Sequence, residues 1–154
     1  MTAPPSITTT QDWLLDAALS PAGDDTALGP LYAAARRGQL ALPFCSACGL
    51  AMDLEQCLCD GCGSDQLDWR AVETRGVVHC ATLVHRREPG LVRTDAPYPV
   101  VDVELTSGHR LIVTTVLPSR SAPSIGTPVR IGFRNLGGRA LPALNIPQQS
   151  EANP

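Results

Sequence analysis

The sequence predicts a mainly β protein with helices confined to its N-terminus: a cysteine-rich metal ribbon followed by a small closed barrel of five strands. Three observations carry that prediction. Five of the six cysteines fall within the nineteen residues from Cys45 to Gly63. Apolar spacing is helical only ahead of this cluster, and beyond it short β-branched runs alternate with Gly and Pro turns. Hydrophobic content of 44% against 18% charged residues fits a packed core rather than a disordered chain. At 154 residues the chain makes one ordinary domain, or two small modules in tandem.

The first element expected is a short helix over "TTTQDWLLDAALSP", capped near Thr10, with Trp13, Leu14, Ala17 and Ala18 at helical spacing and Pro21 as its stop. A second helix, "PLYAAARRG", has Pro30 in its first turn, Arg36 and Arg37 in its last and Gly38 as its cap. From Gln39 to Phe44 the chain reads as extended and delivers Cys45 to the cluster.

Within the cluster, Cys45-x-x-Cys48 and Cys59-x-x-Cys62 are ten residues apart, and each pair is followed by a glycine, Gly49 and Gly63. Two such turns read as zinc knuckles: the turn aims backbone amides at the thiolates, and glycine supplies backbone geometry that a side chain would crowd. The linker is shorter than the common spacing of about 15–20 residues, but a two-strand excursion fits it. The N-terminus lacks a basic n-region and an apolar core, and no later run approaches roughly 18 apolar residues, so a cytoplasmic chain clear of the membrane is expected. In a reducing compartment such thiols are metal ligands rather than disulfides. One four-cysteine Zn2+ site on Cys45, Cys48, Cys59 and Cys62 is the leading reading, with a redox dithiol or an iron site as alternatives. Two complete thiolate pairs close the coordination sphere, so the zinc is expected to be structural. Cys57 falls outside this register, and Cys80, within "GVVHCATLV", is expected to be a small buried apolar residue.

After the ribbon come "LDWRAV", the long "RGVVHCATLVHRR", "YPVVDVELTS" with Val101, Val103 and Leu105 alternating against Asp102 and Glu104, "HRLIVTTVL" after a Ser107–Gly108 turn, then "PVRIGFRN", a Gly137–Gly138 turn and "RALPALNI". Five short antiparallel strands make an OB-fold the first candidate; an SH3-like barrel fits the bare pattern nearly as well.

Charge is divided unevenly. Residues 1–68 carry nine acids and two arginines, and residues 69–154 carry ten arginines and six acids; all twelve cations are arginine. Arginine suits phosphate and carboxylate, although a GC-rich codon bias explains its dominance as well.

The order "YAAARRGQL", "CSACG…CDGCGS", "LDWRAV", "GVVHCATLVHR", "YPVVDVELTSGHRL" and "IGTPVRIGFR" resembles the DUF35 family over about residues 28–146. The resemblance implies a rubredoxin-like zinc ribbon joined to an OB-fold. The domains expected are a helical segment 1–38, a zinc ribbon 39–72, an OB-fold 73–147 and a disordered tail 148–154. Residues 1–27 lie outside the resemblance, and Cys57 is an addition to the usual pattern.

It further implies a non-catalytic accessory subunit beside a thiolase-fold enzyme acting on acyl-CoA, as in acetyl-CoA acetyltransferases, steroid side-chain aldolase and hydratase systems and benzoylsuccinyl-CoA thiolase. The large partner would hold the catalytic residues, and this chain would help form the coenzyme A site. Since thiolases are dimers, two small subunits on two large ones is the simplest hetero-tetramer. A coenzyme A tail calls for arginine donors, and the basic half offers Arg86, Arg87, Arg93, Arg110 and Arg134, of which Arg86, Arg87 and Arg110 are the chosen contacts. His85 and His109 flank them, but no acid partner is legible for either. One apolar helix face is expected either to meet the partner or to cap the chain's own barrel.

A nucleic-acid-binding ribbon and barrel is the competing reading. It calls for aromatic stacking platforms, yet only Tyr98 and Phe133 follow residue 75, and the net charge is −3. An enzyme in its own right would need an open metal position, which the closed cysteine set argues against.

Overall fold

The computed structural model describes residues 11–23 and 26–146. Thr10 and the expected tail 148–154 lie outside the described residues.

The expected first helix reduces to one 3-10 turn, Ala17–Leu19. Asp12 explains why. Its Oδ2 accepts the amides of Leu14 at 3.2 Å and Leu15 at 2.7 Å, a local side-chain turn that competes with helical bonding. The backbone then bonds outward: Arg93 N donates to Leu14 O at 2.7 Å and Asp16 N to Leu91 O at 2.8 Å, flanking a Leu15–Val92 bridge. Trp13 Nε1 donates to Thr115 O at 2.9 Å. The segment is an arm strapped to the barrel, with Leu14 buried and Trp13 half-buried while Ala17 and Ala18 are exposed.

Helix α1 (Gly29–Ala35) forms where expected, with Pro30 in its first turn. Leu31, Tyr32, Ala34 and Ala35 are buried against the chain's own core, so of the two fates open to the helix it takes the internal one.

Strands β1 (Leu40–Cys45) and β2 (Leu67–Val72) form an antiparallel two-stranded sheet, in register from Leu40 with Val72 to Cys45 with Leu67. The metal-ribbon turns emerge from its far end. The second sheet holds β3 (Arg75–Val84), β4 (Tyr98–Leu105), β5 (Arg110–Val113), β6 (Pro128–Leu136) and β7 (Arg139–Asn145) in the order β5-β4-β3-β6-β7. Its ends approach each other: Leu144 N donates to Thr114 O at 2.8 Å and Val116 N to Leu144 O at 2.9 Å, a short parallel bridge that nearly closes the barrel. This is the five-stranded barrel that the turn spacing predicts.

Alternation in β4 is as read: Val101, Val103 and Leu105 point into the core while Asp102 and Glu104 face out. One core joins them to Leu40 and Leu42 of β1, to Leu31 and Tyr32 of α1, and to Val129, Ile131 and Leu144. The ribbon's first strand is thus packed into the barrel's core rather than tethered to it.

Cys80 departs from expectation and is exposed. A bulge between Val78 and Cys80 breaks the β3–β4 register, so His79 and Cys80 face outward in succession. The extra residue reverses the alternation that would have turned Cys80 inward.

Among the described residues, no helix is long and apolar enough to cross a membrane.

Candidate metal centre

The four knuckle cysteines converge. The Sγ atoms of Cys45, Cys48, Cys59 and Cys62 all lie within 4.8 Å of one another, with Cys45–Cys62 at 3.6 Å and Cys48–Cys59 at 3.5 Å. A tetrahedral ion with metal–sulfur bonds of about 2.3 Å separates its sulfurs by about 3.8 Å, so the cage has the right size for one such ion. Two features of sequence build it. Gly49 and Gly63 both take positive φ, 77° and 73°, which turns each chain back after its second cysteine. Amides are thereby aimed at sulfur, as in the bond from Gly61 N to Cys59 Sγ at 3.4 Å. The first knuckle is closed by Gly49 N to Cys45 O and the second by Gly63 N to Cys59 O, both at 2.8 Å.

The Cys48 amide, helped by that of Ala47, holds the Cys45 thiol at about 6, against the opposing effect of burial. Cys48 goes the other way: the Leu50 amide favours its thiolate, but the Cys59 thiol, burial and the Cys45 and Cys62 thiols outweigh it and push it up to about 12. Cys62 is also raised, because the neighbouring Cys45 thiol and burial overcome the Ser64 amide. Four thiolates cannot share so small a volume unless a cation compensates them, and a divalent metal supplies that charge. Cys45 and Cys59 are buried beside Met52, whereas Cys48 and Cys62 reach the surface.

Cys57 stays outside the cage. It is exposed, and its sulfur faces Glu55 O at 3.7 Å. Its neighbour Glu55 has φ of 65°, the only positive value outside glycine among the described residues.

His109 is buried and fully satisfied. Nε2 lies 2.8 Å from the Pro43 carbonyl, which can only accept, so Nε2 carries the proton and Nδ1 accepts from Ser107 Oγ at 2.8 Å. Burial lowers its pKa below the ordinary 6.5, which favours the neutral ring. It also stands edge-on to Phe44, with ring centroids 4.8 Å apart. This side chain locks the β4–β5 turn onto the ribbon's first strand and is not a base. The sequence offered no signal for that bond, which joins residues 66 positions apart.

The arginines expected to meet coenzyme A are not brought together. Arg86 and Arg87 follow β3 at its Val84 end, whereas Arg110 opens β5 opposite Glu104, near the other end of the same ladder. Arg110 forks onto Asp102, with Nε to Oδ1 at 2.8 Å and Nη2 on Oδ2, and this pairing holds the Asp102 carboxyl below its usual range. Arg86 pairs with Glu88. Arg87 makes no hydrogen bond or ion pair among the described residues. Arg93 donates to Gln11 Oε1 at 2.6 Å. Arg134, a candidate not among the chosen contacts, has a side chain 11% exposed, and its Nη1 donates to Asp12 Oδ2 at 2.6 Å, which fixes the arm.

Residues 69–134 match the family model for the C-terminal OB-fold domain of ChsH2. A probable enoyl-CoA hydratase alpha subunit from Thermomonospora curvata is 30% identical over 116 residues, or 75% of this chain and 34% of that protein. The chain therefore spans about a third of that relative's length. A chain of a solved structure described as the Ltp2-ChsH2(DUF35) aldolase superposes with a TM-score of 0.65 at 27% identity, covering 80% of this chain and 96% of the other. Sequence and fold meet in one assignment: residues 69–134 carry an OB-fold domain of the ChsH2 type, and the chain as a whole is similar to a chain of the Ltp2-ChsH2(DUF35) aldolase.

Proposed function

We propose that this protein is a non-catalytic accessory subunit of a thiolase-type enzyme complex that forms or cleaves carbon–carbon bonds in acyl-CoA substrates. One observation carries the reading: the likeness to a chain of the Ltp2-ChsH2(DUF35) aldolase covers 80% of this chain and 96% of the other, so it runs well beyond the OB-fold domain alone. The second relative, a probable enoyl-CoA hydratase alpha subunit, is named for acyl-CoA chemistry and as a subunit.

In this reading one zinc ion sits on Cys45, Cys48, Cys59 and Cys62. Four thiolates leave it no open position for substrate or water, so its part is to hold the ribbon. Residues 39–72 and 73–147 serve as ribbon and OB-fold units, and the partner is a thiolase-fold dimer carrying two small subunits. The catalytic groups belong to that partner, while this chain contributes to the coenzyme A or acyl-CoA site. Arg86, Arg87 and Arg110 are the first contacts to test, although Arg110 would have to leave Asp102 and Arg86 would have to leave Glu88.

Co-expression with a thiolase-like protein encoded beside this chain tests the assembly. The two are expected to elute together from a sizing column at the mass of two small plus two large subunits. Two separate peaks would remove the proposal.

A further inference from the structure

We propose that the open seam between β5 and β7 is a docking slot for an extended segment of the partner subunit, which adds to the edge of β5 as a further strand. That the occupant belongs to the partner rests on the function proposed above; the slot itself rests on backbone geometry.

The barrel closes along a short parallel ladder in which Leu144 N donates to Thr114 O at 2.8 Å and Val116 N to Leu144 O at 2.9 Å. Every second residue of a strand bonds across such a ladder, so the next donor would be the amide at position 142, reaching for the Ile112 carbonyl. That position holds Pro142, which has no N–H. Closure stops there. Bonding on the other side of β5 leaves the same edge open. Leu105 N donates to His109 O at 2.9 Å, and the β4–β5 register runs from Glu104 with Arg110 to Val101 with Val113. Bonded and unbonded pairs alternate in an antiparallel ladder, so Leu111 and Val113 bond to β4, while the N–H and C=O of Arg110 and Ile112 point away from it. Among the described residues no further strand pairs with β5, which is the edge of its sheet. Unpaired amides and carbonyls in such a row are a template for another strand.

The surroundings say what kind of segment fits. A cleft of about 480 Å³ runs along this edge. Val113 points inward from β5 and Ile112, 74% exposed, points outward; both border the cleft, which therefore lies beside the strand rather than on either face. Leu28, Leu54 and Leu141 join Val113 as an apolar floor, all half-buried against the core. Of the charged side chains near it, Asp102 and Arg110 pair with each other, and Arg139, over the Tyr32 ring, has an interaction of its own. Asp53 is exposed at the cleft, and its carboxylate makes no hydrogen bond or ion pair among the described residues. The fitting occupant is an extended segment whose backbone pairs with Arg110 and Ile112, whose alternate apolar side chains cover the floor, and which brings a basic side chain to Asp53. An acyl chain would cover the floor and leave the backbone groups unpaired. A second copy of this chain would bring the same edge, with Asp53 again and no unpaired cation along it.

Amide hydrogen exchange of the full chain, free and in complex with the thiolase-like partner, tests the slot. The amides of Arg110 and Ile112 are expected to exchange rapidly in the free chain and to be protected in the complex. Ile112→Pro removes the edge N–H without breaking a bond of the sheet, so it should unfold near the parent's temperature and bind the partner about tenfold or more weakly. Ile112→Thr keeps that N–H and should bind as the parent does. Asp53→Lys should weaken binding, because it reverses the charge at the slot. If a stable complex forms while Arg110 and Ile112 exchange as in the free chain, or if Ile112→Pro joins it with the parent's affinity, the slot falls and the accessory role survives. A dimer of this chain in which the Ile112 amide is already protected also overturns the proposal. Should no thiolase-like partner bind, the probe is a hexapeptide of alternating valine and threonine ending in lysine, added to the chain alone. Protection of Ile112 by that peptide keeps the slot and drops the role; no protection drops both.

Discussion

Cys45→Ser should strip the metal from this protein and unfold its ribbon. Cys45 is buried at the root of the cage, its sulfur 3.6 Å from that of Cys62, and its amide and carbonyl tie the first knuckle through Leu50 O and Gly49 N at 2.8 Å each. Serine is a poor ligand for zinc, and three thiolates hold it far less well than four. Under the zinc assignment proposed above, folding of the ribbon is coupled to the ion, because beyond Phe44 the segment has a buried apolar cluster of three residues, Cys45, Met52 and Cys59, of which two would be ligands. Zinc measured by plasma mass spectrometry should fall from one per chain to near none in Cys45→Ser and in Cys62→Ser, with lost protection from proteolysis between β1 and β2. Cys57→Ser should retain both metal and protection. Release of the metal by Cys57→Ser would mean that the ligand register is wrong.

The second large effect is expected at the arm. Arg134→Ala would leave the Asp12 carboxylate, 1% exposed, with no cation beside it. Breaking a buried pair by removing one partner costs roughly 3–5 kcal/mol, because the remaining charge is stranded. In a chain of this size that corresponds to a fall in Tm of roughly 10 °C. Asp12 Oδ1 already has no hydrogen-bond partner, so the site has no spare donor to absorb the loss. The double variant Asp12→Asn with Arg134→Met should recover most of that stability, since asparagine still accepts the Leu14 and Leu15 amides and no charge is buried. An unchanged Tm for Arg134→Ala would show that the arm does not dock in solution.

Much of this molecule was legible because local rules and tertiary fate agree. Each "CxxCG" fixes a knuckle through one glycine, and the β4 alternation states which face is buried; both need only a few adjacent residues. The misreadings share one cause, a distant partner that overrides a local signal. Asp12, Trp13 and Leu14 look helical until Arg134, Thr115 and Arg93 claim them across the fold. Cys80 looks buried until the bulge in β3 shifts its phase. His109 shows no partner in sequence because its bonds run to Ser107 and to the Pro43 carbonyl, a backbone atom that no sequence pattern advertises.

Acyl-CoA turnover in a three-way reconstitution tests the central claim most directly: the thiolase-like partner alone, this chain alone, and the two together. This chain alone is expected to show no turnover, the partner alone weak turnover or a raised KM, and the mixture full activity. Turnover by this chain without a partner, or a partner indifferent to its presence, would contradict the accessory role.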